Sequence, residues 1–278
     1  MIERCFLEIT NVCNLECKFC PGTHREGKVM TLSEFETLTD KLEGHVHFLY
    51  FHLMGEPLLN KGLPQFIERA KAKKFVPVLT TNGTLLGSAD AVIDAAPYKI
   101  QISLHAHEGN ELDGVEEYME SVMAFAMKAS AAGIIVVLRL WNQGGYNEQN
   151  DRILELIGRS VPRPWSEGRN GFMLKERLYL EYDRMFEWPS EEAQETDGEQ
   201  FCYALRGQVG VLVDGTVVPC CLDHDADLAL GNLFEKSLPE ILGMERARRM
   251  YDGFSRHQAI EPFCRKCGYI AKTHRYRQ

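Results

Sequence analysis

Cys13-Asn14-Leu15-Glu16-Cys17-Lys18-Phe19-Cys20 carries three thiols in eight residues, spaced Cys-x3-Cys-x2-Cys. The stretch follows a short apolar run and is neither helix-periodic nor strand-alternating, so it reads as a loop at a strand end. Three thiolates hold three irons of a [4Fe–4S] cube and leave the fourth iron without a protein ligand. That open iron is a place for a small molecule to bind and receive an electron. A zinc knuckle is the plainer alternative, but structural zinc takes four ligands, usually as two pairs. No fourth Cys or His falls at a matching distance, and His24 follows Pro21-Gly22 outside any paired spacing.

Outward from this loop, the first 182 residues alternate apolar strands with helix patterns. Strand-like runs are expected at Cys5–Thr10, His47–Leu53, Val76–Thr81, Lys99–His105, Ile134–Trp141 and Arg177–Tyr182. Helix patterns lie near Leu32–Leu42, Leu63–Lys74, Ala89–Ala95, Val115–Ala132 and Asn147–Ile157. Thr31 and Glu34 make a capping-box pair at the start of the first helix. Gly133 stands where a helix closes before the next strand. Six strands separated by helices imply parallel pairing through right-handed crossovers, with ligands at the C-terminal strand ends. Breaks at Pro162-Arg163-Pro164 and Asp197-Gly198-Glu199 divide the chain into residues 1–197 and 198–278. Past the second break, Gln208–Val213 and Thr216–Pro219 flank Asp214-Gly215, a two-residue hairpin signal, and a helix is expected over Leu238–Tyr251.

The 278 residues suffice for one large domain and a small one, and 45 % hydrophobic with 26 % charged residues is an ordinary globular composition. No apolar run approaches a membrane span, and Glu3, Arg4 and Glu8 break up the N-terminal strand pattern where a signal peptide would be apolar. A cytoplasmic protein is expected. Nine cysteines then favour metal binding over disulfides, with Cys5 and one of Cys220 and Cys221 left over. A net charge of −9 argues against a non-specific grip on nucleic acid. Residues 201–278 hold 11 basic and 9 acidic residues, net +2; the basic tail of Arg265, Lys266, Lys272, Arg275 and Arg277 reads as a solvated end.

Polar residues inside apolar strands mark a candidate lumen. Ile100, Ile102 and Leu104 alternate with Gln101, Ser103 and His105, so one face of that strand is polar although helices wrap the sheet. Arg139 sits within the apolar run Val136–Trp141, where burial demands an anionic partner. A bound carboxylate would serve, as would Glu8 or Glu56 in a salt bridge. Glu8 and His52 are candidate acid–base or hydrogen-bonding groups of the cavity, or satisfied structural polar residues.

A second cysteine group reads Cys202-x12-Gly215-x4-Cys220, then Cys264-x2-Cys267. Four thiolates from separated segments make a closed, fully ligated site for [4Fe–4S] or zinc. Cys221 beside Cys220 leaves the register ambiguous; the Gly-x4-Cys spacing favours Cys220, with Cys221 then on the opposite side as a small hydrophobe.

The three-cysteine loop, with aromatic Phe19 before its last Cys, resembles that of the radical S-adenosylmethionine (SAM) superfamily. Met54-Gly55-Glu56-Pro57 resembles the superfamily's Gly-Glu-Pro motif, whose backbone and Glu hold the SAM ammonium; Gly55 permits close approach. Thr81-Asn82-Gly83 is similar to another family element, and Ser103 matches a position that contacts the SAM ribose. The resemblance implies an α/β fold, a partial (β/α)6 TIM-like barrel. It implies that Cys13, Cys17 and Cys20 bind a [4Fe–4S] cluster, with Gly55, Glu56, Asn82, Ser103 and Arg139 around SAM. It implies that SAM chelates the open iron and, once reduced, yields a 5′-deoxyadenosyl radical that abstracts hydrogen from substrate, with Glu8, His52 and His105 as candidate catalytic groups. A flavodoxin- or ferredoxin-type electron donor follows.

The second group, with Gly231-Asn232-Leu233, resembles the SPASM auxiliary-cluster domain in its shortened twitch form, since no cysteine follows Cys267. Cys202, Cys220, Cys264 and Cys267 would then bind a second [4Fe–4S] cluster, zinc remaining the alternative. A small polar substrate is expected, a nucleoside or an aminocyclitol. The best single expectation is a queuosine-salvage lyase that releases queuine. Alternatives are an aminocyclitol dehydrogenase and a peptide maturase, the last weakened because twelve residues precede Cys13. A zinc-bearing binding protein is the non-enzymatic alternative.

Overall fold

The computed structural model describes residues 1–190, 192–199 and 201–269. Lys272, Arg275 and Arg277 of the basic tail lie outside the described residues. Six strands pair in parallel, in sequence order apart from one inserted hairpin: β1 (Ile2–Leu7), β2 (Val46–Tyr50), β3 (Val76–Thr81), β4 (Lys99–Ser103), β5 (Ile135–Gln143) and β8 (Leu178–Arg184). Helices α1 (Leu32–Leu42), α2 (Leu63–Ala72), α3 (Asp90–Ala95), α5 (Val115–Ala131) and α6 (Asn150–Ser160) make the crossovers, with a short α4 (His105–Gly109) directly after β4. The sheet stays open, as in the partial barrel expected from the sequence. Its back buries Leu7, Leu49, Leu79, Ile100, Ile102 and Leu138 against these helices, each with no exposed surface. At about 25 cal/mol per Å2, such apolar burial is the main force closing the helices on the sheet.

Local chemistry sets the boundaries. Thr31 and Glu34 form the expected capping box on α1, and Gly133, at φ +89°, ends the connection from α5 to β5. The strand pattern at Lys99–His105 stops two residues early, because Leu104 and His105 turn into α4. A hairpin that the sequence did not announce, β6 (Ser166–Gly168) and β7 (Gly171–Lys175), pairs antiparallel with the far edge of β8.

The C-terminal part continues the same sheet. β9 (Gln208–Val211) pairs in parallel with the free edge of β1, followed by antiparallel β10 (Thr216–Val218) and β11 (Gly231–Asn232), giving eleven strands among the described residues. The turn between β9 and β10 is longer than the expected two residues. The Val213 N–H leaves the ladder to donate to the Glu8 carboxylate at 3.0 Å, and the chain reverses over Leu212–Gly215. The helix expected over Leu238–Tyr251 is instead two, α7 (Leu238–Leu242) and α8 (Glu245–Ser255). The Gly243 N–H caps α7 on the Pro239 carbonyl, and the chain restarts at Met244. A last turn, α9 (Pro262–Arg265), carries Cys264. Among the described residues no helix is long and apolar enough to cross a membrane.

Candidate active site

The three-thiol loop lies beyond the C-terminal end of β1 and lines a cavity of about 510 Å3. Cys13, Cys17, Phe19 and Cys20 share that cavity with Gly55 and Glu56 after β2, Asn82 after β3, Ser103 and His105 at the end of β4, and His52. Cys13 and Cys20 are exposed, Cys17 half-buried. Burial pushes the Cys17 thiol up to about 11; Asn110, donating at 2.9 Å, opposes the rise, and the nearby Cys20 and Cys13 add to it.

Gly55 explains how the β2 loop meets the thiol loop. Its φ is +75°, and a Cβ there would overlap the Thr10 carbonyl oxygen and lie 2.9 Å from that of Val12. The Glu56 N–H then donates to the Val12 carbonyl at 2.9 Å. The Glu56 side chain faces the cavity wall but is already occupied: Leu58 N–H, Thr81 Oγ1 and Asn82 N–H donate to it at 3.0, 2.8 and 2.7 Å. It holds the β3 turn in place; among the residues lining this cavity the other carboxylate is the exposed Glu16.

Glu8 does not line the cavity, contrary to the expectation of a catalytic group. It is fully buried, with Arg25 forked onto it at 2.7 and 2.8 Å and the N–H groups of Met54 and Val213 donating at 3.2 and 3.0 Å. Arg25 follows the thiol loop, and its Nε donates to the His224 carbonyl at 2.8 Å. Asp225 accepts from Thr23 Oγ1 and from the His24 N–H. One carboxylate thus joins β1, the β2 loop, the thiol loop and the β9–β10 turn.

Arg139 makes neither of the salt bridges expected for it. Nη2 donates to Ser103 Oγ at 2.7 Å, the guanidinium stacks 4.3 Å over the Trp141 ring, and Nε, buried, has no partner. Burial lowers it to about 10, against the attraction of Glu181 and Tyr50, so it stays a cation at neutral pH. A buried cation with an idle donor next to a cavity wall calls for an anion. His52 has a buried, unpartnered Nδ1 and is packed edge-on by Phe6 and Tyr50. Burial, then Arg139, push His52 down to about 3 and His105 to about 4. His105 Nδ1 lies 3.1 Å from the Arg139 carbonyl. Both rings stay neutral above pH 5 and are weak bases, suited to hydrogen bonding rather than proton transfer.

The second thiol group rings a separate cavity of about 230 Å3, lined by Cys202, Cys220, Cys264 and Cys267 with Arg4, Tyr203, Phe263 and Tyr269. Cys221 is not among the residues lining it; it packs between the cluster of Phe6, Leu53, Met54 and Val218 and that of Leu222 and Cys267. Among the described residues no three ligand-type side chains close on a single-ion position. Four thiols around one cavity suit a fully ligated centre, [4Fe–4S] or zinc.

Several site residues were not legible in the sequence. Asn110, Arg25 and Asp225 act across 17 to 201 residues and carry no local periodicity. Trp188 lines the first cavity and the next residue, Pro189, lines the second, so the linker after β8 separates the two. A tryptophan beside a proline just past β8 was the available signal.

A family model described as the radical SAM superfamily matches residues 7–157, and one described as an iron–sulfur cluster-binding domain, SPASM, matches residues 202–268. A GTP 3′,8-cyclase of Alkaliphilus metalliredigens is 27 % identical over 178 residues, 57 % of this chain and 52 % of that one. A probable GTP 3′,8-cyclase of Methanococcus maripaludis is 38 % identical over 104 residues, 35 % of each chain. The chain thus spans about half, or less, of the length of these curated relatives. Among solved structures, BtrN in complex with AdoMet and 2-DOIA superposes with a TM-score of 0.60 at 18 % identity, covering 96 % of this chain and 93 % of that one. Native anSMEcpe with bound AdoMet and a peptide gives 0.62 at 13 %, covering 90 % and 82 %. At these identities the likeness is one of fold.

Proposed function

The chain belongs to the radical SAM superfamily, and on that premise we propose that it removes hydrogen from a small, hydroxyl-bearing substrate in a dehydrogenation. Its cofactors are a [4Fe–4S] cluster with SAM and an auxiliary iron–sulfur cluster. It needs a reductant; a flavodoxin- or ferredoxin-type protein is the donor proposed. When bound, these groups supply a reductively generated 5′-deoxyadenosyl radical at the first site and one-electron chemistry at the second.

The observation that carries the reading is the shared cavity: the three thiols, the Gly55 cradle and the polar end of β4 face one space. Cys13, Cys17 and Cys20 would hold the first cluster, and Cys202, Cys220, Cys264 and Cys267 the second. Gly55 keeps the β2 loop against the thiol loop, leaving backbone for the SAM ammonium. Arg139, steadied by Ser103, offers Nε to a carboxylate, that of SAM or of the substrate. Glu56 and Asn82 fix the wall around these groups. His52 and His105, neutral, donate or accept hydrogen bonds to hydroxyl groups.

The lining offers neutral imidazoles and the exposed Glu16 carboxylate, with Arg139 behind Ser103, while Glu56 is already fully hydrogen-bonded. The queuine-releasing lyase gains no support from the relatives. BtrN, seen with AdoMet and 2-DOIA, superposes over 93 % of its length against 82 % for peptide-bound anSMEcpe, which favours a small molecule, and dehydrogenation is the aminocyclitol alternative read from the sequence. Reconstituted anaerobically with iron and sulfide, the protein should convert SAM to methionine and 5′-deoxyadenosine under a strong reductant. Deuterium from a labelled substrate should appear in the 5′-deoxyadenosine. Iron-loaded protein that never cleaves SAM, with any candidate substrate, would sink the enzyme reading.

A further inference from the structure

Asn110 ends α4 and reaches the first thiol loop across 93 residues of sequence. Its side-chain Oδ1 accepts from the Glu16 N–H at 2.7 Å. Its Nδ2 donates to the Ala106 carbonyl at 2.9 Å and to Cys17 Sγ at 2.9 Å. The two ends of a carboxamide have nearly the same shape, so its partners decide which way it points. The Glu16 N–H can meet only an acceptor and the Ala106 carbonyl only a donor. The Nδ2–H therefore faces the sulfur.

The surroundings keep it there. The Lys18 N–H donates to the Gly109 carbonyl at 2.9 Å, and Lys18 pairs with Glu111. The Phe19 ring fills the space over Gly109, where a Cβ would overlap it. The other two thiols are met by main-chain N–H groups, those of Leu15 at Cys13 and Gly22 at Cys20. The Asn82 Nδ2 stands off at 4.0 Å from Cys13 Sγ and donates at 3.0 Å to Asn14. Asn110 is thus the close side-chain donor to a sulfur of the first loop.

We propose that Asn110 is a positioning residue that sets the reduction potential of the first iron–sulfur centre. The inference rests on Cys13, Cys17 and Cys20 being ligands of that centre. A hydrogen bond to a ligand sulfur draws electron density from it and favours the more negative, reduced state, so the potential rises. Asn110 makes the open centre easier to reduce.

The test is a potentiometric titration of the reconstituted full chain, read by electron paramagnetic resonance. The first centre is identified as the signal that SAM perturbs. In Asn110→Ala its midpoint should move negative. In Asn110→Asp it should move further in the same direction, since the carboxylate keeps the contact to Glu16 but brings a negative charge to the sulfur. The second centre's midpoint should stay where it was. SAM cleavage driven by a mild reductant should fall several-fold in Asn110→Ala and recover with a stronger one. An unmoved midpoint at full iron content overturns the proposal. So does loss of iron from the first site in both variants, which would make Asn110 a loop fastener alone. An unsubstituted chain with no signal perturbed by SAM would instead undo the underlying reading.

Discussion

The two thiol groups are built in opposite ways. The first comes from eight consecutive residues, sits on an exposed loop with two of its cysteines open to solvent, and is held by neighbours distant in sequence. The second is gathered from segments more than sixty residues apart, with Cys264 and Cys267 buried. A centre that must admit a small molecule needs an accessible corner, so rigidity has to be imported from other elements. A centre fully ligated as proposed needs no access, and fourfold ligation would itself draw the segments together.

The largest expected effects are the two cysteine losses. Cys13→Ala should abolish SAM cleavage and remove the SAM-perturbed signal while the second centre persists. Cys264→Ala should remove the second centre, cost stability through a vacated buried position, and leave the first signal in place. If either substitution erased both signals, the two centres would not be separable as described. Iron and sulfide analysis with paramagnetic resonance reads both outcomes.

Next is Glu8→Ala. It leaves the Arg25 guanidinium and two buried N–H groups without their acceptor, a loss of about 3–5 kcal/mol. Denaturant unfolding measures it. Limited proteolysis should show first cutting near Thr23–Gly27, because that segment leans on Glu8, and not near Cys264. Gly55→Ala is expected to cost about 2 kcal/mol for a side chain at positive φ and crowded by two carbonyls, and to weaken SAM binding more than it lowers iron content. Equilibrium dialysis of SAM against iron-loaded protein separates those effects.

The smallest effect is pH-dependent. The folded-state values of His52 and His105 lie below the ordinary 6.5, so the unfolded chain binds protons first as pH falls. Their share of stability is complete above pH 6.5 and shrinks below it, by about 1–2 kcal/mol at pH 5 for each. His52→Phe should flatten the decline between pH 6.5 and 5 in thermal melts. An unchanged slope would mean that His52 titrates as an exposed ring.

Much of the fold was legible because parallel strands covered by helices write continuous apolar runs, as at Val76–Thr81, and because Thr31 and Glu34 mark a helix start in four residues. The first thiol loop was legible for the same reason: its information is local. What escaped is non-local. Glu8 looked catalytic, since a carboxylate in an apolar strand has the same appearance whether it faces a substrate or an arginine seventeen residues on. His105 read as strand because alternation continues one residue into α4. The turn at Asp214-Gly215 read as tight because nothing nearby reveals that the Val213 N–H is spoken for by Glu8.

The place of β1 between β2 and β9 bears on how the molecule is made. The strand leaves the ribosome well before β9, so one of its edges waits for a partner some two hundred residues later. The thiol loop that follows waits as well, because His224 and Asp225 fasten it. Contacts of such long sequence separation form late and slowly. Until His224 and Asp225 have emerged, Cys13, Cys17 and Cys20 sit on a loop without its fasteners, beside an unfinished sheet edge. With Cys13, Cys17 and Cys20 as the proposed ligands of the first centre, conditions that delay the pairing of β9 with β1 should raise the share of protein left without that centre.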